Sequence, residues 1–335
     1  MLTVKISGTG SYLPARVVTN EDMSARIGST PEWIYSHTGI ESRHVAEENE
    51  SAATMGAEAA RRALESACAK PEEISMIALA TTTPDYSNYP STACLVQKAL
   101  GCVPAAAFDL SAACSGFVYG LEMVKSYLLC HPGHKALVIG TEVLSRHVNW
   151  ADRSNAMLFG DGAAAVVLET ADGPAHHLSA SLLGADGNGS DFIAREGGAH
   201  RPLSVDFLRE TVTKMDVPYL RMDGHAVYAF AVRKLSEIVR ALCEQVPIPA
   251  EKLDLVIPHQ ANSRILEAVA RRMSFPLEKF YINLRHIGNT SSASIPLCLD
   301  TAVREGTLRT GMRLALAGFG SGLTWAGMLA EWPYL

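Results

Sequence analysis

Residues 107–116 read AFDLSAACSG, and residues 281–290 read YINLRHIGNT. The first stretch is a short apolar strand, a small-residue turn and a cysteine at the mouth of a helix. The second rhymes with it: Asp109 falls on Asn283 and Leu110 on Leu284, an offset of 174 in both pairs, which carries Cys114 onto Gly288 beside Asn289. Working outward, KPEEISMIALATTTPD (70–85) matches IPAEKLDLVIPHQAN (248–262), and KALVIGTE (135–142) matches MRLALAGFG (312–320). The spacing predicts a duplicated α/β unit with residues 1–172 and 185–335 as halves. ADGPAHHLSASLLGADG is then a bridge between them.

The runs ISMIALATT, AAAFDL, KALVIGTE, AAAVVLE, LDLVIP, FYINL, MRLALAGFG and TWAGMLAEW read as strands. Amphipathic segments such as MGAEAARRALESACA and AVYAFAVRKLSEIVRALCEQV lie between them. Strands separated by helices of that length predict right-handed crossovers and largely parallel sheets covered on both faces. Reactive groups in open α/β sheets gather beyond the carboxyl ends of strands. Two halves related by a pseudo-twofold would therefore bring equivalent strand ends together.

Bulk composition narrows the function classes. The 335 residues, 48% hydrophobic and 19% charged, suffice for one large domain or two fused halves. Lys and Arg number 29 against 35 for Asp and Glu, a mild acidic balance that speaks against a nucleic-acid partner. Seven cysteines with no CxxC pair fit a reducing cytosol, and fit neither a disulfide framework nor a metal site. MLTVKISGTGSYLP reads as a first strand and turn, not a signal peptide. No apolar run approaches the ~20 residues that cross a bilayer. The expectation is a soluble, cytoplasmic protein with no membrane partner.

Three residues stand at three strand ends. Cys114 precedes SGFVYGLEMVKSYLL, whose Val118, Leu121, Val124 and Leu128 recur at helical spacing. The positive end of a helix favours thiolate, the form that attacks a thioester. A buried, inert cysteine is the competing reading. His259 follows LDLVI, with Gln260 and Asn262 at the same mouth; a packing histidine would look the same. Asn289, in GNTSS, could equally be turn and cap chemistry. The constellation is more informative than its members.

With those residues in place, the chain resembles the β-ketoacyl-acyl carrier protein synthase III family of condensing enzymes. The resemblance is carried by GTGSYLP, EWI..HTGI, DLSAACSGFVYGL, DRSNAMLFGDGAAAVVLE, PHQANSRI, RHIGNTSSAS and GFGSGLTW. It implies a thiolase fold, five-layered αβαβα with duplicated halves, and a homodimer. It also implies a route: Cys114 takes an acyl group from acyl-CoA, and His259 and Asn289 stabilise the enolate formed as malonyl-acyl carrier protein loses CO2. The backbone N–H groups of Cys114 and Ser321 form the oxyanion hole. Trp33 and Arg153 hold the adenine of coenzyme A, with Gly224 and Asn262 along the pantetheine arm, and no cofactor is tightly bound. Tyr89 and Phe319 belong to the acyl pocket, Tyr89 reaching across the dimer. Outside the resemblance, ordinary packing accounts for Trp33 and a solvated charge for Arg153.

Arg264, Arg271 and Arg272 lie at i, i+7 and i+8 on one predicted helix. A local basic stripe on an acidic chain suits docking of an acidic carrier protein as well as it suits a solvated face. Two departures from the family pattern matter. His37 stands where arginine is usual, which weakens one cationic contact to coenzyme A. Gly320-Ser321-Gly322 replaces a triple glycine. The phenol of Tyr89 favours a short primer such as acetyl. The rival readings are a related thiolase-fold acyltransferase or quinolone/polyketide-type synthase, a non-catalytic partner subunit of the same fold, and, more remotely, a Cys-His-Asn hydrolase.

Overall fold

The computed structural model describes residues 2–173, 177–195, 219–246 and 248–333. The first half runs β1 (Leu2–Tyr12), β2 (Val17–Thr19), α1 (Asn20–Ile27), α2 (Pro31–Thr38), β3 (Ser42–His44) and α3 (Ala52–Ser66). It continues β4 (Ile74–Ala80), α4 (Thr92–Leu100), β5 (Ala106–Leu110), α5 (Gly116–Cys130), β6 (Lys135–Val143) and β7 (Asp161–Asp172). The second half holds β8 (Leu178–Ala185), β9 (Ile193–Ala194), β10 (Arg221–Met222), α6 (Gly224–Gln245) and β11 (Leu255–Pro258). After these come α7 (Ser263–Met273), α8 (Leu284–Ile287), α9 (Ser294–Arg304), β12 (Arg313–Gly320) and β13 (Thr324–Glu331).

The duplication is visible in strand order. One sheet runs β1-β7-β6-β4-β5 and the other β8-β13-β12-β11, so each strand of the second has its counterpart in the first. The fifth position is reduced: FYINL forms no strand, and only Phe280 bridges to Val256 beyond β11. Asn283 accepts from the Cys298 thiol at 3.1 Å, and Leu284 already begins α8, which ends the extension.

Two further expectations need correction. The sheets are mixed, because β1 and β6 both run antiparallel to β7, and β12 and β8 antiparallel to β13. No crossover helix separates β12 from β13; the turn 321–323 joins them directly, and a direct turn enforces an antiparallel pair. The stretch read as a bridge contains β8, an edge strand of the second sheet; residues 174–176 of it lie outside the described residues.

Local chemistry explains the helices that matter. Ser51 caps α3, accepting from Thr54 N at 3.3 Å, while Thr54 Oγ1 accepts from Ser51 N at 2.8 Å. The buried alanines of α3, among them Ala59 and Ala63, let it lie directly on β1, where Gly8 and Gly10 offer no side chain. α5 and α9 form the central layer, with Phe117, Leu121, Cys298 and Leu299 packed between the two sheets. α3 and α4 cover the first sheet outside, and α6 and α7 the second. The result is αβαβα. Burying one Phe117-sized side chain contributes about 1.5–3 kcal/mol.

The halves also interlock. Gly140 of β6 faces the Ser292 carbonyl so closely that a Cβ would collide with it. Gly318 of β12 lies under Ser115, where a Cβ would stand 3.1 Å from its Cα. These glycines are 178 apart, as are Ala113 and Ser291, both at positive φ (46° and 48°), and the starts of α5 and α9. The working offset at the helix mouths is therefore 178, not 174. The four residues of α8 make up the difference, and the counterpart of Cys114 is Ser292.

Candidate active site

Cys114 sits in a single helical turn, Ala113–Ser115, that leads into α5. Ala113 takes the left-handed conformation, which turns the chain sharply out of β5. The turn is fixed from within and from the second half: the hydroxyls of Ser115 and of Thr324 lie 2.7 and 2.9 Å from the Ala112 carbonyl. Gly320, at the end of β12, approaches so closely that an added Cβ would be 2.7 Å from Cys114 N. The glycine there is a steric requirement.

His259 follows β11, its N–H bonded to the Ala317 carbonyl at 2.8 Å and its ring edge-on to Phe319 at 5.2 Å between centroids. Its Nδ1 is buried and has no hydrogen-bond partner among the described residues. Burial holds the imidazole at about 3, so it is neutral at working pH. Asn289 is pinned by its backbone, N–H to the Leu158 carbonyl at 2.8 Å and C=O from Gly160 N at 3.0 Å. Its Oδ1 accepts from Ser291 N at 2.9 Å.

Cys114, His259 and Asn289 line a single cavity of about 410 Å³. Ser321, Phe319, Gly224 and Asn262 line it too, and the remaining wall is largely apolar, including Leu144, Met157, Phe159 and Ile265. Among the described residues, no atom lies within 4 Å of where a Cβ on Gly224 would stand.

The thiolate expectation does not hold for the resting site. Burial pushes the Cys114 thiol up to about 12, against a hydrogen bond with Ser291 that pulls it down, and the buried Glu142 carboxyl adds to the rise. Desolvation is the largest influence on the sulfur, and it favours the protonated thiol.

The outlying residues divide. The Arg153 guanidinium lies 4.7 Å from the Trp33 ring, and the His37 ring stacks on Trp33 at 4.0 Å. An intervening aromatic ring needs two layers of about 3.5 Å each, so none fits between Trp33 and Arg153 at this spacing. Asn262 caps α7 through Arg264 N at 2.8 Å and donates to the His37 carbonyl at 3.0 Å. Arg264 donates to the Ser36 carbonyl at 2.8 Å, and Arg271 pairs with Glu267 at 3.9 Å. Arg264, Arg271 and Arg272 are all exposed on α7. Tyr89, 85% exposed, is absent from the cavity wall of its own chain.

Sequence reasoning passed over four residues near the chemistry. Ser291 meets the Cys114 sulfur at 3.3 Å. Glu142 is fully buried beneath, receiving Thr82 N at 3.1 Å, Thr83 Oγ1 at 2.8 Å and Ser292 Oγ at 2.9 Å; burial raises its pKa. His147 and Arg195 stand on the cavity wall. Ser291 and Glu142 lie inside GNTSS and KALVIGTE, where only a contact would have singled them out.

Models for 3-oxoacyl-[acyl-carrier-protein] synthase III match residues 108–187, and for its C-terminal part residues 243–332. The β-ketoacyl-[acyl-carrier-protein] synthase III of Caldanaerobacter subterraneus is 42% identical over 328 residues, covering 98% of this chain and 97% of the relative.

The chain belongs to the β-ketoacyl-acyl carrier protein synthase III family. It is therefore a thiolase-fold condensing acyltransferase of fatty acid biosynthesis. The synthase III of Neisseria meningitidis serogroup C is 43% identical over 333 residues, 99% of this chain and 100% of the relative. Among structures, the synthase III of Pseudomonas aeruginosa PAO1 superposes with a TM-score of 0.90 at 39% identity, covering 99% of both chains. The priming β-ketosynthase of the R1128 polyketide pathway gives 0.90 at 34%, over 99% of this chain and 96% of that one.

Proposed function

We propose that this synthase III condenses an acyl-CoA primer with malonyl-acyl carrier protein through an acyl-Cys114 intermediate. The observation that carries the reading is that one thiol, one neutral imidazole and one carboxamide, drawn from both halves, face a single apolar cavity. In the first step the Cys114 sulfur attacks the thioester carbonyl. The backbone N–H groups of Cys114 and Ser321 receive the oxyanion, and coenzyme A leaves with the proton. In the second step the malonyl thioester carbonyl lies against His259 and the Asn289 Nδ2, whose Oδ1 is already engaged. CO2 departs, the enolate carbon attacks the acyl-Cys114 carbonyl, and the Cys114 sulfur is released. Neutral donors suit this task, since they bind most strongly where negative charge develops. The largely apolar wall keeps water from the acyl-enzyme.

Trp33, His37 and Arg153 would bind coenzyme A, with Arg153 swinging off the indole, and Gly224 and Asn262 would flank the pantetheine arm. The exposed stripe Arg264, Arg271 and Arg272 would dock the acidic carrier. A homodimer is supported by β5, which lies at a sheet edge and, among the described residues, pairs with β4 alone, and by exposed Tyr86, Tyr89 and Val103. Tyr89 would then close the partner's acyl pocket, alongside Phe319. The seven free cysteines agree with a cytoplasmic setting, and among the described residues no helix is long and apolar enough to cross a membrane.

The test is to incubate the protein with acetyl-CoA and weigh it. One added acetyl group on Cys114, followed by CO2 release and chain extension on malonyl-acyl carrier protein, is expected. Free acid without an adduct would point to a hydrolase, and the absence of any adduct to an inert subunit.

A further inference from the structure

Among the groups that touch the reacting atoms, Ser291 has no part in the scheme above. The Cys114 thiol donates to its Oγ at 3.3 Å, and both side chains line the same cavity. The site is built. Ser291 is 3% exposed and holds φ at 48°, a conformation costly for a residue with a Cβ. Its N–H is bound by the Asn289 carboxamide, and its neighbour Ser292 is anchored at 2.9 Å to both the Ala80 carbonyl and Glu142. Three hydrogen bonds to Ser291 and Ser292 thus hold a hydroxyl against the nucleophile.

We propose that Ser291 is a catalytic residue of acyl transfer: its oxygen receives the thiol proton of Cys114 and its own proton passes to the departing coenzyme A sulfur. The bond from Sγ to the acyl carbon forms and the bond from that carbon to the coenzyme A sulfur breaks. One proton enters Ser291 and one leaves, so the hydroxyl is regenerated and no outside base is consumed. In the second step the same hydroxyl hydrogen-bonds the sulfur as the enolate displaces it as thiolate, and one proton taken up from water regenerates the thiol. The inference rests on the acyltransfer reading of this cavity. Among the described residues, the titratable and charged groups around the thiol are Glu142 on β6, His259 after β11, and His147, Arg195 and Tyr228 on the cavity wall. Glu142 opposes thiolate formation, and the imidazole of His259 is uncharged.

The experiment compares wild type with Ser291→Gly, Ser291→Ala and Ser291→Thr. Glycine suits the positive φ, so that variant removes the hydroxyl without stressing the loop. Alkylation by iodoacetamide, which needs no substrate, is followed from pH 7 to 10, and acetyl adduct formation is followed by mass. A hydrogen bond to a charged group shifts a pKa by about one to two units, so alkylation should slow about 10- to 100-fold in the Gly and Ala variants. Acetylation should slow at least as much, and Thr should restore both. Wild-type alkylation rates in folded Gly and Ala variants would overturn the proposal. Slowed alkylation with undiminished acetylation would overturn the proton relay. A wild-type protein that alkylates but never acetylates would count against the acyltransfer reading instead, while alkylation still decides whether Ser291 serves the thiol.

Discussion

Replacing Gly320 with alanine tests the oxyanion hole through a single atom. The added Cβ would lie 2.7 Å from Cys114 N, 2.9 Å from Ala113 Cβ and 3.2 Å from the Ala112 carbonyl. Carbon contacts settle at about 3.5–4.0 Å, so the elbow must retreat by about 0.8 Å, the difference between 3.5 and 2.7 Å. That movement carries away the Cys114 N–H, and with it one of two donors. Loss of such a donor, or a shift near 1 Å in a reacting group, each lowers the rate about 100-fold or more. The overpacking also costs about 1–3 kcal/mol of stability. Gly327→Ala supplies the control: its Cβ would collide with Ile238 and Leu242 on α6 and not with the elbow. Both variants should melt lower than wild type, and only Gly320→Ala should form the acetyl adduct about 100-fold more slowly, measured by mass at a temperature where all three are folded. If the two variants acetylate equally fast, the oxyanion assignment fails.

Cys114→Ala should form no acyl adduct and no condensation product, while CO2 release from malonyl-acyl carrier protein persists; radiolabelled malonyl thioester reads both. Asn289→Ala should cut decarboxylation about 100-fold, the value of a lost oxyanion donor, and slow acetylation far less, through the lost anchor on Ser291 N–H; equal loss of both would refute the division of labour. Burial holds His259 at about 3 and His147 at about 4, both below the usual histidine value. The unfolded chain therefore binds protons that the native state refuses, and these residues withdraw stability as pH falls from about 6.5 toward those values. Glu142 and Asp161, raised by burial, act in the opposite sense. The readout is consequently a difference: the melting temperature of His259→Gln should fall less between pH 7 and 5 than that of wild type. Parallel slopes would contradict it.

Repetition and chain order made much of this architecture legible. Periodic apolar residues placed α5, and a matched pair of strand ends drew Cys114 and Asn289 into one neighbourhood. What escaped were features set by contact. The antiparallel strands β7 and β13 look like buried parallel ones, because both are continuous apolar runs enclosed on two faces. The four-residue α8 shifted the alignment, since a short helix carries too little periodicity to be seen. Ser291 and Glu142 are ordinary residues until 3.3 Å to a sulfur, or a ring of threonine donors, gives them meaning. The charge state of Cys114 also eluded sequence reasoning, which sees the helix ahead of a residue but not the walls around it.

Gly140 and Gly318 have a consequence for how the molecule can come apart. Each half rests its elbow in a notch cut from the other's sheet, as two hands clasp, so neither elbow has its seat until both sheets exist. The thiol-bearing turn and its serine-bearing twin are thus assembled by the same event, and chain cleavage near 173–177 should leave fragments that are inert apart and recover reactivity on mixing.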